Sequence, residues 1–164
     1  MHKTEKEAAY QLLLEQARSL FTGEVNALLH LSNSSALLKE ALGHTIFVGF
    51  YLFDGQDLVL GPFQGGVSCG RIPMDKGICG QAARERRTIL VEDVHRVPHH
   101  IVCDHRAASE IVVPLIYQNR LIGVLDIDSD RLAAFDELDQ GNLEEFVTIL
   151  LESSNWDFSM FGVK

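Results

Sequence analysis

Six side chains in the middle of the chain have types suited to redox chemistry on sulfur. They are Cys69, Cys79, Cys103, Glu110, Asp126 and Asp128. A cysteine reacts as a nucleophile in its thiolate form. A carboxyl group with a raised pKa can deliver a proton to a departing atom. Thiols and acids that are brought to one place therefore predict sulfur redox chemistry that consumes protons.

The spacing of the two aspartates places them on one face of a strand. In GVLDIDS, alternate side chains share a face, so Asp126 and Asp128 point one way while Leu125 and Ile127 point toward the core. Two such anions repel each other, and burial raises the pKa of at least one. The pair can hold a cation or retain a proton, although aspartates are also common in turns. Glu110, at the start of the preceding strand, is expected close to one of them.

The surroundings of two cysteines favour the thiolate. Cys103 has His99, His100 and His105 nearby, and a neighbouring imidazole favours the reactive anion. Cys79 begins a short helix, where the helix dipole also favours the anion. The alternative for any single cysteine is a small buried hydrophobic side chain.

A zinc site is the competing interpretation of these cysteines and histidines. The chain has no Cys-x-x-Cys pair, and His95 and His99 flank Pro98 in a predicted loop instead of sharing a helix face. The spacing therefore does not favour a metal, and we predict neither a metal nor a bound cofactor.

Composition and charge describe an ordinary globular domain. Of 164 residues, 46% are apolar and 23% charged, which fits one domain with a full core. The net charge of −9 argues against nucleic acid or an anionic membrane as a general partner. No secretory signal begins the chain, and no stretch approaches the roughly 20 apolar residues of a membrane span. We expect a cytoplasmic protein with reduced thiols.

Helical periodicity predicts helices at both ends of the chain. Two runs, 4–21 and about 24–41, precede the strands, and a last helix covers 135–151. In the first helix, the residues expected on the buried face are Ala8, Leu12, Ala17 and Leu20.

Short apolar runs between these helices predict six strands. The runs cover 46–53, 58–60, 67–72, 88–91, 110–117 and 121–128, with Cys69 on the third. A short helix opens near Lys76 between the third and fourth strands. Residues 92–109 form a long polar loop with Cys103 toward its far end, and loops of this length are usually functional or mobile.

This order of elements predicts an α+β fold. Its central antiparallel sheet of about six strands carries the N- and C-terminal helices on one face and the active-site loops on the other. We expect a single domain over 1–164, with a core of about 6–151 and a C-terminal tail over 153–164.

Five motifs, taken in order, resemble one known enzyme family. GPFQGG before Cys69, DKGICGQA, HHIVCD, SEIVVP and GVLDIDS closely resemble the free methionine-R-sulfoxide reductases, which are built on a GAF domain. The resemblance continues from SALLKEAL and VGFYLF to LEEFVTIL, and so covers about 6–151. It implies a single GAF domain.

The resemblance also implies a mechanism. Cys103 matches the catalytic cysteine, which attacks the sulfoxide sulfur of free methionine sulfoxide and becomes a sulfenic acid. A second cysteine, Cys69 as first choice or Cys79 as second, then forms a disulfide. Thioredoxin as reductant restores the thiols, and the family implies a homodimer.

The resemblance places further residues around the substrate. Glu110, Asp126 and Asp128 match the carboxylates that surround the sulfoxide. Phe47 stands where the family usually has tryptophan against the substrate's methyl group, and Tyr51 belongs to the same substrate-binding strand. The alternative function is a GAF module that senses a small molecule or a redox state without catalysis.

Overall fold

The computed structural model describes residues 2–157. Within them the elements are α1 (Lys3–Phe21), α2 (Ala27–Ala41), β1 (Thr45–Phe53), β2 (Asp57–Gly65), β3 (Arg71–Pro73), α3 (Gly77–Glu85), β4 (Ile89–Val91), β5 (Ser109–Tyr117), β6 (Arg120–Ser129) and α4 (Glu137–Ser153), with a 3₁₀ turn at Val94–Arg96. The predicted α+β class is confirmed.

The strands form one six-stranded sheet in the order β3-β2-β1-β6-β5-β4. Every neighbouring pair is antiparallel. The β5–β6 hairpin turns at Gln118 and Asn119, which both have positive φ angles of 49° and 63°. Tight hairpin turns require this backbone conformation. β5 and β6 therefore lie side by side along their whole length, with the candidate carboxylates at one end.

The two faces of the sheet carry different layers. Helices α1, α2 and α4 cover one face, where Phe50, Leu125 and Ile127 are fully buried beneath them. Helix α3 and the long loop lie on the other face, where a smaller apolar cluster includes Tyr51 and Val124. Alternation along each strand separates these two sets, and it places the candidate site under α3.

The predicted buried face of α1 is largely wrong. Ala17 is buried, but Leu12 and Leu20 are 55% and 43% exposed, and Ala8 is exposed as well. The residues that α1 buries are Tyr10, Leu13, Leu14, Ala17 and Phe21. The helix contains two overlapping apolar stripes, and contact with α4 selects one of them. There the Tyr10 hydroxyl donates a 2.7 Å hydrogen bond to the buried Asp139.

Two predicted strand boundaries are also wrong. β2 continues through Gly61-Pro62, past the predicted end at residue 60, because a bulge between the pairs Gly49–Phe63 and Tyr51–Leu60 accommodates the proline. The third strand is only Arg71–Pro73. Cys69 therefore lies in the loop before β3 instead of on a strand.

The last described residues pack against the domain. Trp156 is buried, and its indole N–H donates a 2.9 Å hydrogen bond to the Leu151 carbonyl. The Asn155 N–H donates to the Val25 carbonyl between α1 and α2. The remainder of the predicted tail, 158–164, lies outside the described residues. Over 2–157, no helix combines the length and apolarity that crossing a membrane would require.

Candidate active site

A small cavity of about 30 Å³ lies between the sheet, α3 and the long loop. Five of the six side chains predicted to take part in sulfur redox chemistry line this cavity. They are Cys79, Cys103, Glu110, Asp126 and Asp128. The sixth, Cys69, is joined to Cys103 by a disulfide. The structure therefore gathers all six in one place.

Strand pairing sets the relative positions of the carboxylates. Glu110 on β5 lies directly opposite Asp128 on β6, and Asp126 lies opposite Val112 one step along the same face. Directly opposed and diagonal side chains on one face approach closely enough to interact. On the other side of β6, Asp126 is opposite Gly49, where a Cβ would lie 2.5 Å from Phe63. The sheet around these acids is therefore tightly packed.

Burial dominates the electrostatics of the three acids. Glu110 and Asp126 are each 5% exposed. Burial, followed by the charges of Asp126 and Asp128, raises the pKa of Glu110 well above its usual value. Burial raises the pKa of Asp126 to about 6, and burial with the Asp126 charge raises the pKa of Asp128. Three carboxyls in this setting cannot all ionise, so the cluster retains protons near neutral pH.

One further acid at the cavity behaves differently. Asp104 accepts hydrogen bonds from the Arg106 guanidinium, the shortest at 2.6 Å. Arg106 holds the pKa of Asp104 at about 2. Asp104 therefore supplies a fixed negative charge at the cavity edge, beside acids whose pKa values are raised.

Cys79 does not meet the expectation of a stabilised thiolate. It is buried, and its Sγ lies 3.9 Å from Glu110 Oε1. Burial and the charges of Asp126, Glu110 and Asp128 raise the pKa of the Cys79 thiol well above its usual value. The prediction from the helix dipole is therefore wrong, because desolvation and three nearby acids outweigh the dipole of one short helix.

The predicted histidine neighbours of Cys103 face other groups. A ring nitrogen of His99 is 2.8 Å from the side-chain oxygen of Gln81 on α3. His100 Nε2 is 3.9 Å from Glu110 Oε2, and burial lowers the pKa of His100. His99 thus fastens the loop to α3, and His100 lies near Glu110.

The loop that carries Cys103 is fastened to the start of α3. The Gly77 N–H donates a 3.1 Å hydrogen bond to the His99 carbonyl. Gly77 has φ +67°, and a Cβ there would lie 3.1 Å from Ile101 Cδ1. Glycine suits this backbone conformation and lets the loop pack directly on the helix.

Phe47 and Tyr51 lie beside the cavity without lining it. Phe47 is opposite Asp128 across β1 and β6, and its ring stacks on Phe63 with 5.5 Å between centroids. The Tyr51 hydroxyl donates a 2.9 Å hydrogen bond to the Cys69 carbonyl and lies 3.0 Å from Ser68 Oγ. Tyr51 therefore positions the loop that carries Cys69, a role with no signal in the sequence.

We expect Tyr51→Phe to slow closure of the Cys69–Cys103 disulfide several-fold. The substitution keeps the buried ring but removes the hydroxyl that holds the Cys69 carbonyl, with a stability loss of about 1 kcal/mol. Loss of free thiols, followed after the reduced protein is exposed to hydrogen peroxide, measures this closure. Equal rates of thiol loss in the variant and the parent would contradict this positioning role.

Comparisons with known proteins agree with this geometry. Residues 4–150 match the family model for the GAF domain. The chain is 46% identical over 149 residues to GAF domain-containing protein A of Dictyostelium discoideum, covering 90% of this chain and 94% of that protein. It is 44% identical over 150 residues to the free methionine-R-sulfoxide reductase of Escherichia coli, covering 92% of this chain and 89% of that protein.

A solved structure shows the same likeness in three dimensions. The free methionine-R-sulfoxide reductase of Neisseria meningitidis, determined in complex with its substrate, superposes with a TM-score of 0.85 at 46% identity. The match covers 88% of this chain and 87% of that one.

Proposed function

The chain belongs to the GAF domain family and, within it, to the free methionine-R-sulfoxide reductases, and from this membership we propose that it reduces free methionine-R-sulfoxide to methionine. One observation in the structure supports the proposal most directly. Cys103, which is joined to Cys69, shares a small cavity with the buried acids Glu110 and Asp126 and the partly buried Asp128.

The proposed reaction moves one oxygen atom from substrate to enzyme. The Cys103 thiolate attacks the sulfoxide sulfur, and the oxygen is transferred to leave methionine and a Cys103 sulfenic acid. The Cys69 thiol then displaces that oxygen as water and forms the disulfide. The net result is that one sulfoxide and two thiols become one thioether, one disulfide and one water.

The buried acids supply what this reaction needs. The sulfoxide oxygen gains protons as it leaves, and a carboxyl group that keeps its proton near neutral pH is a suitable donor. Glu110 and Asp126 both have raised pKa values, so either can hold that proton. Repulsion between neighbouring carboxylates keeps one acid protonated while another ionises. The protonated acid can donate its proton, and the ionised acid can attract the ammonium group of the substrate.

The disulfide form has no room for the substrate. Its cavity of about 30 Å³ is far smaller than the roughly 300 Å³ or more of typical ligand pockets. Opening the Cys69–Cys103 bond frees the loops on both sides of the cavity. Disulfide formation would therefore help to expel methionine, and reduction would readmit sulfoxide.

The reductant, the compartment and the assembly are also part of the proposal. Val67 and Val102, each close in sequence to a disulfide cysteine, are 92% and 65% exposed and offer apolar contact to a protein reductant such as thioredoxin. A reducing cytoplasm would keep that reductant in its active, reduced form.

The proposed assembly is a homodimer. Leu12 and Leu20 on α1 are exposed and would offer an apolar contact between two copies of the chain. Light scattering measures the mass of the assembly and so tests this proposal.

The test of the function is turnover of the separated epimers. With thioredoxin as reductant, we expect the free R epimer to be reduced at least about 100-fold more efficiently than the S epimer, since the cavity walls are chiral and closely packed. Methionine is measured by chromatography. A sensor module without catalysis would bind the amino acid and produce no methionine from either epimer.

We expect Phe47→Trp to lower the Michaelis constant for sulfoxide several-fold. The indole offers a larger face to the substrate methyl group, and Phe47 lies opposite Asp128 at the site. The same change overpacks the stack with Phe63, at a loss of roughly 1–3 kcal/mol of stability. Steady-state kinetics and urea unfolding measure the two effects, and an unchanged or raised Michaelis constant would contradict the role of Phe47.

A further inference from the structure

We propose that Cys79, Glu110 and Asp126 form a binding site for one divalent transition-metal ion, for which zinc is the best fit. The Sγ of Cys79, an oxygen of Glu110 and an oxygen of Asp126 all lie within 4.8 Å of one another. They come from α3, β5 and β6, so no local spacing in the sequence indicates the site.

One of the three ligand distances is already close to that of a coordinated ion, and the others are no longer than 4.8 Å. Zinc bonds of about 2.0–2.3 Å to oxygen and sulfur place tetrahedral ligands roughly 3.3–3.8 Å apart. Cys79 Sγ and Glu110 Oε1 are already 3.9 Å apart. Small side-chain rotations would close the remaining gap. The cavity of about 30 Å³ exceeds the roughly 10–15 Å³ that a cavity needs to hold one water molecule. A single ion therefore fits where an amino acid does not.

An unsatisfied atom points to a missing ligand. Oδ1 of Asp126 is buried and has no hydrogen-bond partner among residues 2–157, in a residue that is only 5% exposed. Buried polar atoms are normally paired, and each exception calls for an explanation. Because Asp126 lines the cavity, a cation there would satisfy this oxygen.

The charges of the site also favour a cation. Glu110, Asp126 and Asp128 crowd one cavity with the ionised Asp104 at its edge. A divalent ion would relieve their repulsion. It would also deprotonate the Cys79 thiol outright, as metals do to thiol ligands.

The ligand types select the metal. One thiolate with two carboxylates suits zinc, which accepts both sulfur and oxygen. Magnesium and calcium prefer oxygen alone. A bound ion would take two of the acids that the proposed reaction needs, so zinc would inhibit the reductase. That inhibition rests on the proposed function, whereas the binding does not.

Cobalt is the spectroscopic probe for binding, since it replaces zinc and its bond to a thiolate gives a charge-transfer band. The chain has three cysteines, and in the oxidised protein two form the disulfide. A cobalt–thiolate band can then come only from Cys79, and metal on surface histidines gives none. We expect one cobalt ion per chain, a band that zinc removes, and no band in Cys79→Ser.

Two further variants keep the test decisive if Cys79→Ser fails to fold. Asp126→Asn retains the thiol and the side-chain shape, and should bind cobalt at least tenfold more weakly. Asp75→Asn removes an exposed carboxylate just before α3 and should bind as the parent does. The proposal is overturned if no band appears at saturating cobalt, or if Asp126→Asn binds like Asp75→Asn.

Single-turnover assays separate inhibition from the function itself. Reduced protein freed of external thiol is mixed with methionine-R-sulfoxide, with or without one equivalent of zinc chloride. We expect zinc to slow methionine formation at least tenfold in the parent but not in Cys79→Ser, which keeps the Cys69 and Cys103 thiols, and a chelator to restore the parent. No methionine without zinc would refute the proposed function and leave the cobalt result intact. Undiminished methionine with zinc would refute the inhibition.

Discussion

Replacing Cys103 by serine is expected to lower kcat/KM for free methionine-R-sulfoxide at least about 1,000-fold. A hydroxyl is a far weaker nucleophile than a thiolate at neutral pH, and loss of a covalent nucleophile is among the largest single effects known in enzymes. Methionine production from the R epimer measures the loss. Activity within tenfold of the parent would show that another group attacks the sulfoxide.

Cys69→Ser is the matched control, because it removes the other half of the disulfide. It should still form one methionine per chain in a single turnover, with a sulfenic acid left on Cys103. Sustained turnover in that variant would assign the resolving role to Cys79. Stabilities are best compared between reduced proteins, since the disulfide closes a loop with a separation of 34 residues and such a bond contributes about 3–4 kcal/mol.

Asp126→Asn is expected to lower kcat between about 100- and 10,000-fold while it stabilises the protein. The amide keeps the shape of the side chain but cannot deliver a proton, and loss of general acid catalysis has effects of this size. The amide also has no charge to desolvate. Activity and stability should therefore change in opposite directions, which a purely structural defect at Asp126 would not produce.

The stability gain should depend on pH. The folded pKa of Asp126 is about 6, above its usual 3.8, so the folded protein holds this proton more tightly than the unfolded chain. The parent therefore loses stability as pH rises from about 4 to 6, by roughly 3 kcal/mol at most. Urea unfolding should show Asp126→Asn more stable at pH 7 and the gap nearly closed at pH 4. A less stable variant at pH 7 would contradict this account.

Errors in the sequence-based predictions have specific physical causes. The apolar residues of α1 fit two stripes, and only packing in the folded domain distinguishes the buried Leu13 from the exposed Leu12. Cys79 was expected to be a thiolate because its position at a helix start is visible locally. The acids that raise its pKa come from residues 110, 126 and 128, which are distant in the sequence.

Local patterns in the sequence were enough for the element types, the sheet and the orientation of Asp126 and Asp128, because strand alternation and helical periodicity depend only on near neighbours. The order of motifs was enough for the family. Only the tertiary structure decided that Cys69 meets Cys103, that Tyr51 holds the Cys69 loop, and that Cys79 lies beside two acids. These features depend on distances between remote segments and on burial, and neither can be derived from the spacing of residues along the chain.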